Sequence, residues 1–429
     1  MSISLSDVMQ QITQGTVLGD WYSPMTDALT KVRYSDRPFT TMPMSAFVLC
    51  GCLRQLQSIT SLREQVQHVF HLDPSAEKMP LARSTYSDAL ASRFRRDILR
   101  SGVAHLVSDA QAQLPDRLSG LEGIGDRAVM AIDTTYQTES AHYRPIYPKQ
   151  GGHDSQKGHL LSMIYDIRHG IPLAVNTETI SIGEMLVLKR EDEPVHPWMC
   201  VKNAIYVVDR AFIDGRYWDK RLKQFGSTVI TRMKSVLNYT VTKERPIKSG
   251  QCNEGILYDR EVELNCSKTA WRLIGFQHPD GLRYEYLTND MDLEAGVVAF
   301  LYLRRWDEEK YFDDIKNNLA CSKAWGKNPV STEQQALLSM VTMILTKLFI
   351  HRRYKELGLD KADTTQNRKQ RIKKEFYAQT GHGIAYRVFY DEISKITRQI
   401  WRFLKNGYAE EHSIELYRRQ LRPLMVKYI

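Results

Sequence analysis

Two short apolar runs, each followed directly by an aspartate, stand out in the middle of the chain. Ala128–Ile132 is followed by Asp133, and Ala204–Val208 is followed by Asp209. A continuous apolar run of this length is typical of a strand that is buried on both faces of a sheet. We therefore predict two central strands with an aspartate at each carboxyl end, the edge where ligands gather in α/β sheets. One such aspartate is usually a turn or helix-capping residue, but that explanation is weaker for two in one sheet when a helix rich in carboxylates follows later in the chain.

The residues around and after these runs predict further strands. Apolar and β-branched segments indicate strands at Leu160–Ile167, Pro172–Thr177 and within 225–233, with a turn at His169–Gly170 and a helix over Gly183–Lys189. From about 235 to 290, strand-type residues alternate with turns, which predicts a mostly β insertion. Its aromatic residues Trp271, Tyr284 and Tyr286 could stack on bases, but aromatic residues at alternating positions are more often core.

The N-terminal part of the chain, up to about residue 120, has helical periodicity. A capping box joins Ser61 to Glu64, and a second helix start at Ser84 or Ser87 precedes a basic helix. The basic positions of that helix are Arg93, Arg95, Arg96 and Arg100. Two short helices with a basic second member could read DNA. An ordinary helical bundle with a solvated basic face explains the pattern equally well.

The C-terminal part also reads as helical. An amphipathic helix is predicted from Ser331 to about Tyr354. Basic residues then cluster at 368–374 and again within the last twelve positions. Such clusters are solvated surface by default, with contact to phosphates as the functional alternative.

The segment Tyr302–Lys316 is dense in charge and lacks Gly and Pro, which predicts a helix of about four turns. At about 100° per residue, four side chains share one narrow stripe of that helix: Tyr302, Arg305, Glu309 and Lys316. Asp307, Glu308 and Asp314 point away from the stripe, and Asp313 competes with Glu309 for it. Taken by itself, this pattern is most often a solvated helix with weak i,i+4 ion pairs.

The composition is that of a globular, soluble protein. Of the 429 residues, 42% are hydrophobic and 25% are charged, and this length suggests two to four domains. The formal net charge of +9 favours a polyanionic partner such as nucleic acid. Met1–Asp20 lacks a secretory signal, and Ala336–Ile350 is too short and too polar to span a bilayer. We therefore expect a soluble, intracellular protein.

The scattered carboxylates predict the chemistry of the site. Asp133, Asp209 and a carboxylate of the 302–316 helix would supply the oxygen ligands that Mg²⁺ prefers. A pair of such ions supports in-line phosphoryl transfer. The six cysteines form no C-x-x-C pair, and His196 with Cys200 is isolated. Buried, reduced cysteines are therefore expected rather than a zinc site.

The spacing Y-x2-R-x3-E-x6-K, formed by Tyr302, Arg305, Glu309 and Lys316, identifies a known family. On it the chain resembles the DDE transposases of bacterial insertion sequences, specifically the insertion-sequence-four family. VMAIDTT around Asp133 and YVVDRAF around Asp209 are similar to the two aspartate motifs of that family. ITRMKS at 230–235 and YLTND at 286–290 are similar to the strands that flank its β insertion. The resemblance covers about 120–330, and SLRE at 61–64 and RSTYSDA at 83–89 extend it weakly.

The resemblance implies an α/β fold, with an RNase H-like catalytic core and a mostly β insertion flanked by helical N-terminal and C-terminal regions. The expected boundaries are 1–120 for a helical DNA-binding region, 121–330 for the catalytic domain with its insertion at about 235–290, and 331–429 for a basic helical region. Asp133, Asp209 and Glu309 are the implied catalytic residues and ligands of two Mg²⁺ or Mn²⁺ ions. Tyr302, Arg305 and Lys316 are the implied DNA-binding residues.

The implied activity is cleavage of the insertion-sequence ends and joining of their 3′ ends to target DNA. The implied partners are double-stranded DNA, as terminal inverted repeats and as target, and a second copy of the chain on paired ends. The implied location is cytoplasmic, at the bacterial nucleoid, with no membrane contact. Two alternatives stay open: a metal-dependent nuclease without strand transfer, and a catalytically decayed DNA-binding regulator. The complete acidic triad and signature count against decay.

Overall fold

A single mixed β-sheet organises the part of the chain that the structure describes. The structure is a computed structural model, and it describes residues 83–119, 121–138, 158–179, 184–190, 195–278, 281–305, 311–316, 319, 321 and 324–356. The nine strands of the sheet are β1 (Val129–Thr138), β2 (Gly158–Asp166), β3 (Ile171–Thr179), β4 (Ile205–Val208), β5 (Thr228–Arg232), β6 (Tyr239–Glu244), β7 (Ile256–Leu264), β8 (Ala270–Gln277) and β9 (Arg283–Thr288). Their order across the sheet is β3-β2-β1-β4-β5-β9-β8-β7-β6.

Helices cover this sheet and extend beyond it. In chain order they are α1 (Arg83–Leu90), α2 (Arg93–Gln113), α3 (Glu184–Lys189), α4 (Gly215–Phe225), α5 (Ala295–Arg304), α6 (311–316) and α7 (Pro329–Glu356). Short 3-10 turns lie at His196–Cys200, Arg210–Phe212 and Gln251–Asn253. No helix among these described segments is long and apolar enough to cross a membrane.

The first five strands form the core of the sheet. β1, β2 and β3 are antiparallel neighbours, whereas β4 pairs parallel to β1 and β5 pairs parallel to β4. The predicted strands and the turn before Ile171 are confirmed, and Gly170 takes the left-handed backbone that the turn needs, with φ of 72°. The crossover from β4 to β5 uses α4, which the sequence pattern did not predict. This mixed sheet with helices confirms the predicted α/β, RNase H-like core.

The predicted β insertion continues the same sheet. β6 to β9 are antiparallel, and β9 pairs with β5, so the insertion strands extend the core sheet sideways. Arg272 of β8 and Asp259 of β7 form a buried ion pair at 2.6 Å. Arg272 also donates to the carbonyls of Asp290 and Leu293, just before α5. These bonds attach the insertion to the segment that leads into the candidate site.

Two long helices close one side of the core. α7 packs against α2 and against β3, and Gln334 of α7 donates to the carbonyl of Leu90 at the end of α1. The sequence predicted an amphipathic helix here, but residues 330–348 of α7 are buried on every side. The polar positions of α7 are accommodated internally, as when the hydroxyls of Thr342 and Thr346 donate to carbonyls one turn earlier.

The helix starts differ from the predictions. The basic helix α2 begins after Ser92, whose side chain accepts from the backbone N–H of Arg95, rather than after Ser84 or Ser87. The predicted continuous helix Tyr302–Lys316 is also wrong at its start. Helix α5 begins at Ala295 and ends at Arg304, Arg305 lies in the following turn, and 311–316 is helical again. Tyr302 is therefore in the last turn of one helix, and Lys316 belongs to another.

The position of α5 depends on a close backbone contact. A Cβ atom on Gly296 would lie 1.6 Å from the carbonyl oxygen of Cys252, so only glycine allows this approach. The backbone N–H of Gly296 also donates to the Asn253 side chain at 2.9 Å. The insertion thus holds the first turn of the helix that carries Tyr302.

Some predictions concern residues outside the described part of the chain, and others are only partly confirmed. The Ser61–Glu64 capping box and the basic clusters after residue 356 lie outside the described residues. The domain boundaries stay predictions. Trp271 and Tyr286 are buried, as expected for core residues, whereas Tyr284 is half-buried. Among the described cysteines, all free thiols, Cys321 is buried as predicted, but Cys200, Cys252 and Cys266 are only half-buried.

Candidate active site

The strand register brings the two aspartates together. The last parallel pair between β1 and β4 is Ile132 with Val208, so Asp133 and Asp209 follow side by side. Neighbouring strands are about 4.8 Å apart. The sequence predicted Asp133 at the end of its strand. This is wrong, because β1 continues to Thr138 along β2. The edge beside Asp133 is open instead because β4 ends at Val208.

The Asp133 carboxylate is held on two sides. Its Oδ1 accepts the backbone N–H of Thr134 at 2.8 Å. Its Oδ2 lies 3.4 Å from a guanidinium nitrogen of Arg305. The Arg305 side chain is 8% exposed and that of Asp133 is 19% exposed. The turn after α5 therefore delivers a nearly buried positive charge to the acid pair.

The Asp209 carboxylate has a different environment. Asp209 precedes the Arg210–Phe212 turn without capping it through its side chain. Within the described part of the chain, its carboxylate makes no hydrogen bond or ion pair. Two neighbouring carboxylates, one of which has no hydrogen-bond or ion-pair partner among the described residues, suit a hard divalent cation.

Lys316 reaches the same strand two residues beyond Asp133. Its Nζ donates to the hydroxyl of Thr135, which lies on the same face of β1 as Asp133 because strand side chains alternate. Burial lowers the pKa of Lys316, while the carboxylates of Asp313 and Asp133 act in the opposite direction. Lys316 therefore sits in the field of Asp133. The contact with Thr135 was not predicted, although this residue belongs to the VMAIDTT motif around Asp133.

Tyr302 connects the acid pair to the insertion. Its ring lies 4.9 Å from that of Tyr286 in β9, and the guanidinium of Arg305 lies 5.7 Å from its centroid. Burial raises the pKa of the Tyr302 hydroxyl, Arg305 opposes this shift, and the negative charge of Asp209 adds to it. Tyr302 is thus close enough to feel both Arg305 and Asp209.

Glu309, the third predicted carboxylate, lies outside the described residues. No group of three His, Cys, Asp or Glu side chains that could hold a metal occurs in the segments that are described. Of the predicted site residues, the structure brings five close together: Asp133, Asp209, Tyr302, Arg305 and Lys316. Arg305 and Lys316, which precede and follow Glu309 in the sequence, contact β1 at Asp133 and at Thr135.

The basic helix α2 makes structural contacts. Arg100 pairs with the buried Glu333 of α7 at 2.5 Å, and Arg96 approaches the same carboxylate at 3.7 Å. Burial raises the pKa of Glu333, and Arg100 and Arg96 oppose that shift. Two of the four basic positions thus support helix packing, while Arg93 is exposed.

This α/β sheet, with two carboxylates side by side next to an arginine and a lysine, defines an RNase H-like protein with an acidic site. Residues 125–345, about half of the chain, match the family model described as transposase DDE domain. The chain belongs to this family.

Two individual proteins are similar to parts of the chain. A Sinorhizobium fredii (strain NBRC 101917 / NGR234) protein named "Putative transposase y4zB" is 25% identical over 151 residues, which is 34% of this chain and 42% of that protein. The chain thus matches less than half the length of this curated relative. A cryo-EM structure of the piggyBac transposase synaptic complex with hairpin DNA has a TM-score of 0.39 and 10% identity, covering 96% of this chain and 80% of that one. A likeness of that size carries no conclusion about the site.

Proposed function

We propose that this protein is a transposase that cleaves the ends of its insertion sequence and joins the 3′ ends to target DNA. The observation that carries the proposal is the register that sets Asp133 and Asp209 side by side in a chain of the transposase DDE family. Insertion-sequence-four membership, suggested by the Tyr302–Lys316 spacing, is part of the proposal.

In this proposal Asp133, Asp209 and Glu309 hold two Mg²⁺ or Mn²⁺ ions. The two described donors, Asp133 and Asp209, fit such ions, because carboxylate oxygens are the ligands these cations prefer and Asp209 has no described protein partner. Bound ions of this kind activate the attacking oxygen and stabilise the leaving oxygen of an in-line displacement.

The cationic side chains near the acid pair offset its repulsion of a DNA phosphate. A DNA phosphate approaching Asp133 and Asp209 meets two carboxylates, which repel it. Arg305 lies 3.4 Å from Asp133, and Lys316 donates to the Thr135 hydroxyl. Both side chains therefore place positive charge next to the phosphate. We assign Arg305, Lys316 and the Tyr302 hydroxyl to the DNA backbone near the cleaved bond, with a guanidinium well suited to phosphate oxygens.

The proposed partners follow from the reaction. The protein binds the terminal inverted repeats and the target as double-stranded DNA, and a second copy of the chain pairs the two ends. The net charge of +9 supports a polyanionic partner.

The test uses conservative variants that keep side-chain shape. Asp133→Asn, Asp209→Asn and Glu309→Gln should each lower Mg²⁺-dependent nicking of an end-containing duplex at least about 100-fold, because each removes a charged metal ligand. Lys268→Gln, an exposed lysine in the turn between β7 and β8, is the control and should cleave like the wild type.

Strand transfer is measured in the same reactions by capture of a labelled end in a plasmid. Cleavage without joined product would favour a metal-dependent nuclease. Wild-type nicking by all three variants would overturn the assignment of the acids, and no nicking by the wild type on any end would favour a decayed DNA-binding regulator.

A further inference from the structure

An open cleft of about 600 Å³ lies where the insertion joins the core sheet. Its charged and aromatic lining consists of three arginines, three tyrosines and one acid: Arg210, Arg232, Arg283, Tyr239, Tyr258, Tyr284 and Glu285. Its arginines come from the turn after β4, the end of β5 and the start of β9. None of these residues belongs to the acid pair or to the Tyr302–Lys316 signature.

The charged residues that line the cleft give it a positive net charge. Among the described residues, Arg210, Arg232 and Arg283 form no ion pair with any carboxylate. Glu285 is the acid at the rim, and it accepts the hydroxyl hydrogen of Tyr258. Many other arginines of the described chain are paired, as Arg272 is with Asp259 at 2.6 Å. Three guanidinium groups around one cleft, without a carboxylate partner in the described segments, favour a polyanionic ligand.

Two of the three tyrosines that line the cleft leave little room for stacked bases. The guanidinium of Arg232 lies 4.8 Å from the Tyr284 ring centre, and the Tyr286 ring lies nearly parallel to Tyr284, at 12° and 6.4 Å. The Tyr258 ring has Arg260 at 4.2 Å and packs over Gly275, where an added Cβ would lie 2.5 Å from the ring. The rings of Tyr258 and Tyr284 thus already have a neighbour over a face, so at these two positions phosphates fit the cleft better than bases.

The cleft adjoins the acid pair. Arg210 follows Asp209 directly in the chain. Arg232 is paired across β5 and β9 with Tyr286, and Tyr286 contacts Tyr302 at 4.9 Å. A strand whose phosphate lies at Asp133 and Asp209 can therefore continue past Arg210 into the cleft.

We propose that this cleft binds backbone phosphates of the DNA strand that passes the acid pair, through Arg210, Arg232 and Arg283. The inference rests on the proposed function for the identity of the strand. It names the residues that position the strand beyond the Tyr302–Lys316 signature, and it predicts recognition of backbone phosphates instead of base identity.

The test measures equilibrium binding of a labelled end duplex without divalent metal, from low to moderate salt. Arg210→Gln, Arg232→Gln and Arg283→Gln should each weaken binding several-fold and reduce the slope of log K against log salt by about 0.9 for each phosphate that the variant no longer neutralises. Lys268→Gln at the opposite end of β8 is the matched charge control and should change neither quantity. Thermal melting checks that each variant is folded. If Arg232→Gln is unstable, the variants of the exposed Arg210 and Arg283 still test the proposal.

Modified duplexes then separate phosphate from base recognition. Scanning neutral methylphosphonates along the strand should reveal positions where the affinity difference between wild type and arginine variants disappears, whereas abasic sites should leave that difference unchanged. Wild-type affinity and salt slope in folded Arg210→Gln and Arg283→Gln would overturn the proposal, as would an affinity difference that depends on abasic sites. Because binding is measured without cleavage, failure of the acid variants to lose nicking would overturn the catalytic proposal and leave this one standing.

Discussion

Arg305 lies 3.4 Å from Asp133, a residue 172 positions earlier in the chain, and both side chains are largely buried. The contact joins the turn after α5 to strand β1 of the sheet. A guanidinium in this position neutralises part of the charge that a metal ion would use. In the proposed function, Arg305 and a divalent cation would therefore compete for Asp133, and both would favour an approaching phosphate.

Arg305→Ala should separate these two effects. Removal of the competing positive charge should strengthen Mn²⁺ binding, because an uncompensated carboxylate pair attracts a cation more strongly. End cleavage should nevertheless fall at least about 10-fold, since the phosphate loses a charged hydrogen-bond donor. Titration calorimetry with Mn²⁺ and a nicking assay measure the two quantities. Weaker Mn²⁺ binding together with unchanged cleavage would contradict the role given to Arg305.

Lys316→Ala should impair end processing about 10-fold or more while leaving Mn²⁺ affinity close to the wild type. The reason is that Lys316 contacts the Thr135 hydroxyl and no described metal ligand directly. Thr135→Val removes the acceptor and keeps the side-chain shape, so it should reproduce a smaller part of the impairment. Nicking rates of both single variants and the double variant give the coupling between the two residues. Wild-type end processing by Lys316→Ala would count against a DNA-binding lysine here.

Asp290→Asn should destabilise the fold in a pH-dependent way. Burial by itself would raise the pKa of Asp290, but Arg127 at 2.7 Å and hydrogen bonds from Leu293 and Thr228 hold that pKa below its usual value. Because the pKa of Asp290 is lower in the folded protein, its ionised carboxylate stabilises the fold at pH values above the unfolded pKa of about 3.9. This stabilisation is lost as the pH falls through the folded pKa.

At neutral pH the variant should lose about 3 kcal/mol of unfolding free energy, because the largely buried Arg127 is left without its carboxylate partner. The difference from the wild type should shrink as the pH falls below about 4. Urea unfolding at neutral and acid pH measures it. A difference independent of pH would show that the Asp290 charge is not its source.

Glu333→Gln should show the opposite trend. Burial raises the pKa of Glu333 despite Arg100 and Arg96. A raised folded pKa means that the contribution of Glu333 to stability is complete below the unfolded value of about 4.3 and is lost as pH rises through the folded value. Glu333→Gln lacks this titration, so its stability relative to the wild type should improve from about pH 4 to pH 7. Urea unfolding tests this, and a relative decrease over the same interval would contradict it.

Local sequence pattern was sufficient for the central strands. The runs ending at Ile132 and Val208 are apolar at every position, and a run of this length is typical of a strand buried on both faces. The strand at Thr228–Arg232 and those of the insertion were predicted from their apolar, β-branched and other strand-type residues. Helix α4 was missed because its buried positions are mixed with charged residues, among them the buried Arg221.

The helix that carries the signature was predicted less well. Its charged residues suggested one helix from Tyr302 to Lys316, whereas α5 starts in the preceding apolar segment at Ala295 and ends at Arg304. A buried helix lacks the alternation of polar and apolar positions that marks a surface helix. The same reason explains why α7 was predicted as amphipathic although residues 330–348 are buried.

By itself, the sequence determined which residues could form the site: two aspartates that end apolar runs, and a spaced tyrosine, arginine, glutamate and lysine. Only the tertiary structure decided which of these described residues meet. Parallel pairing of β1 with β4 sets Asp133 beside Asp209, and packing of α5 and 311–316 against the sheet brings Arg305 to Asp133 and Lys316 to Thr135. These contacts join residues 76 to 181 positions apart, and local propensity carries no information about pairing over such distances.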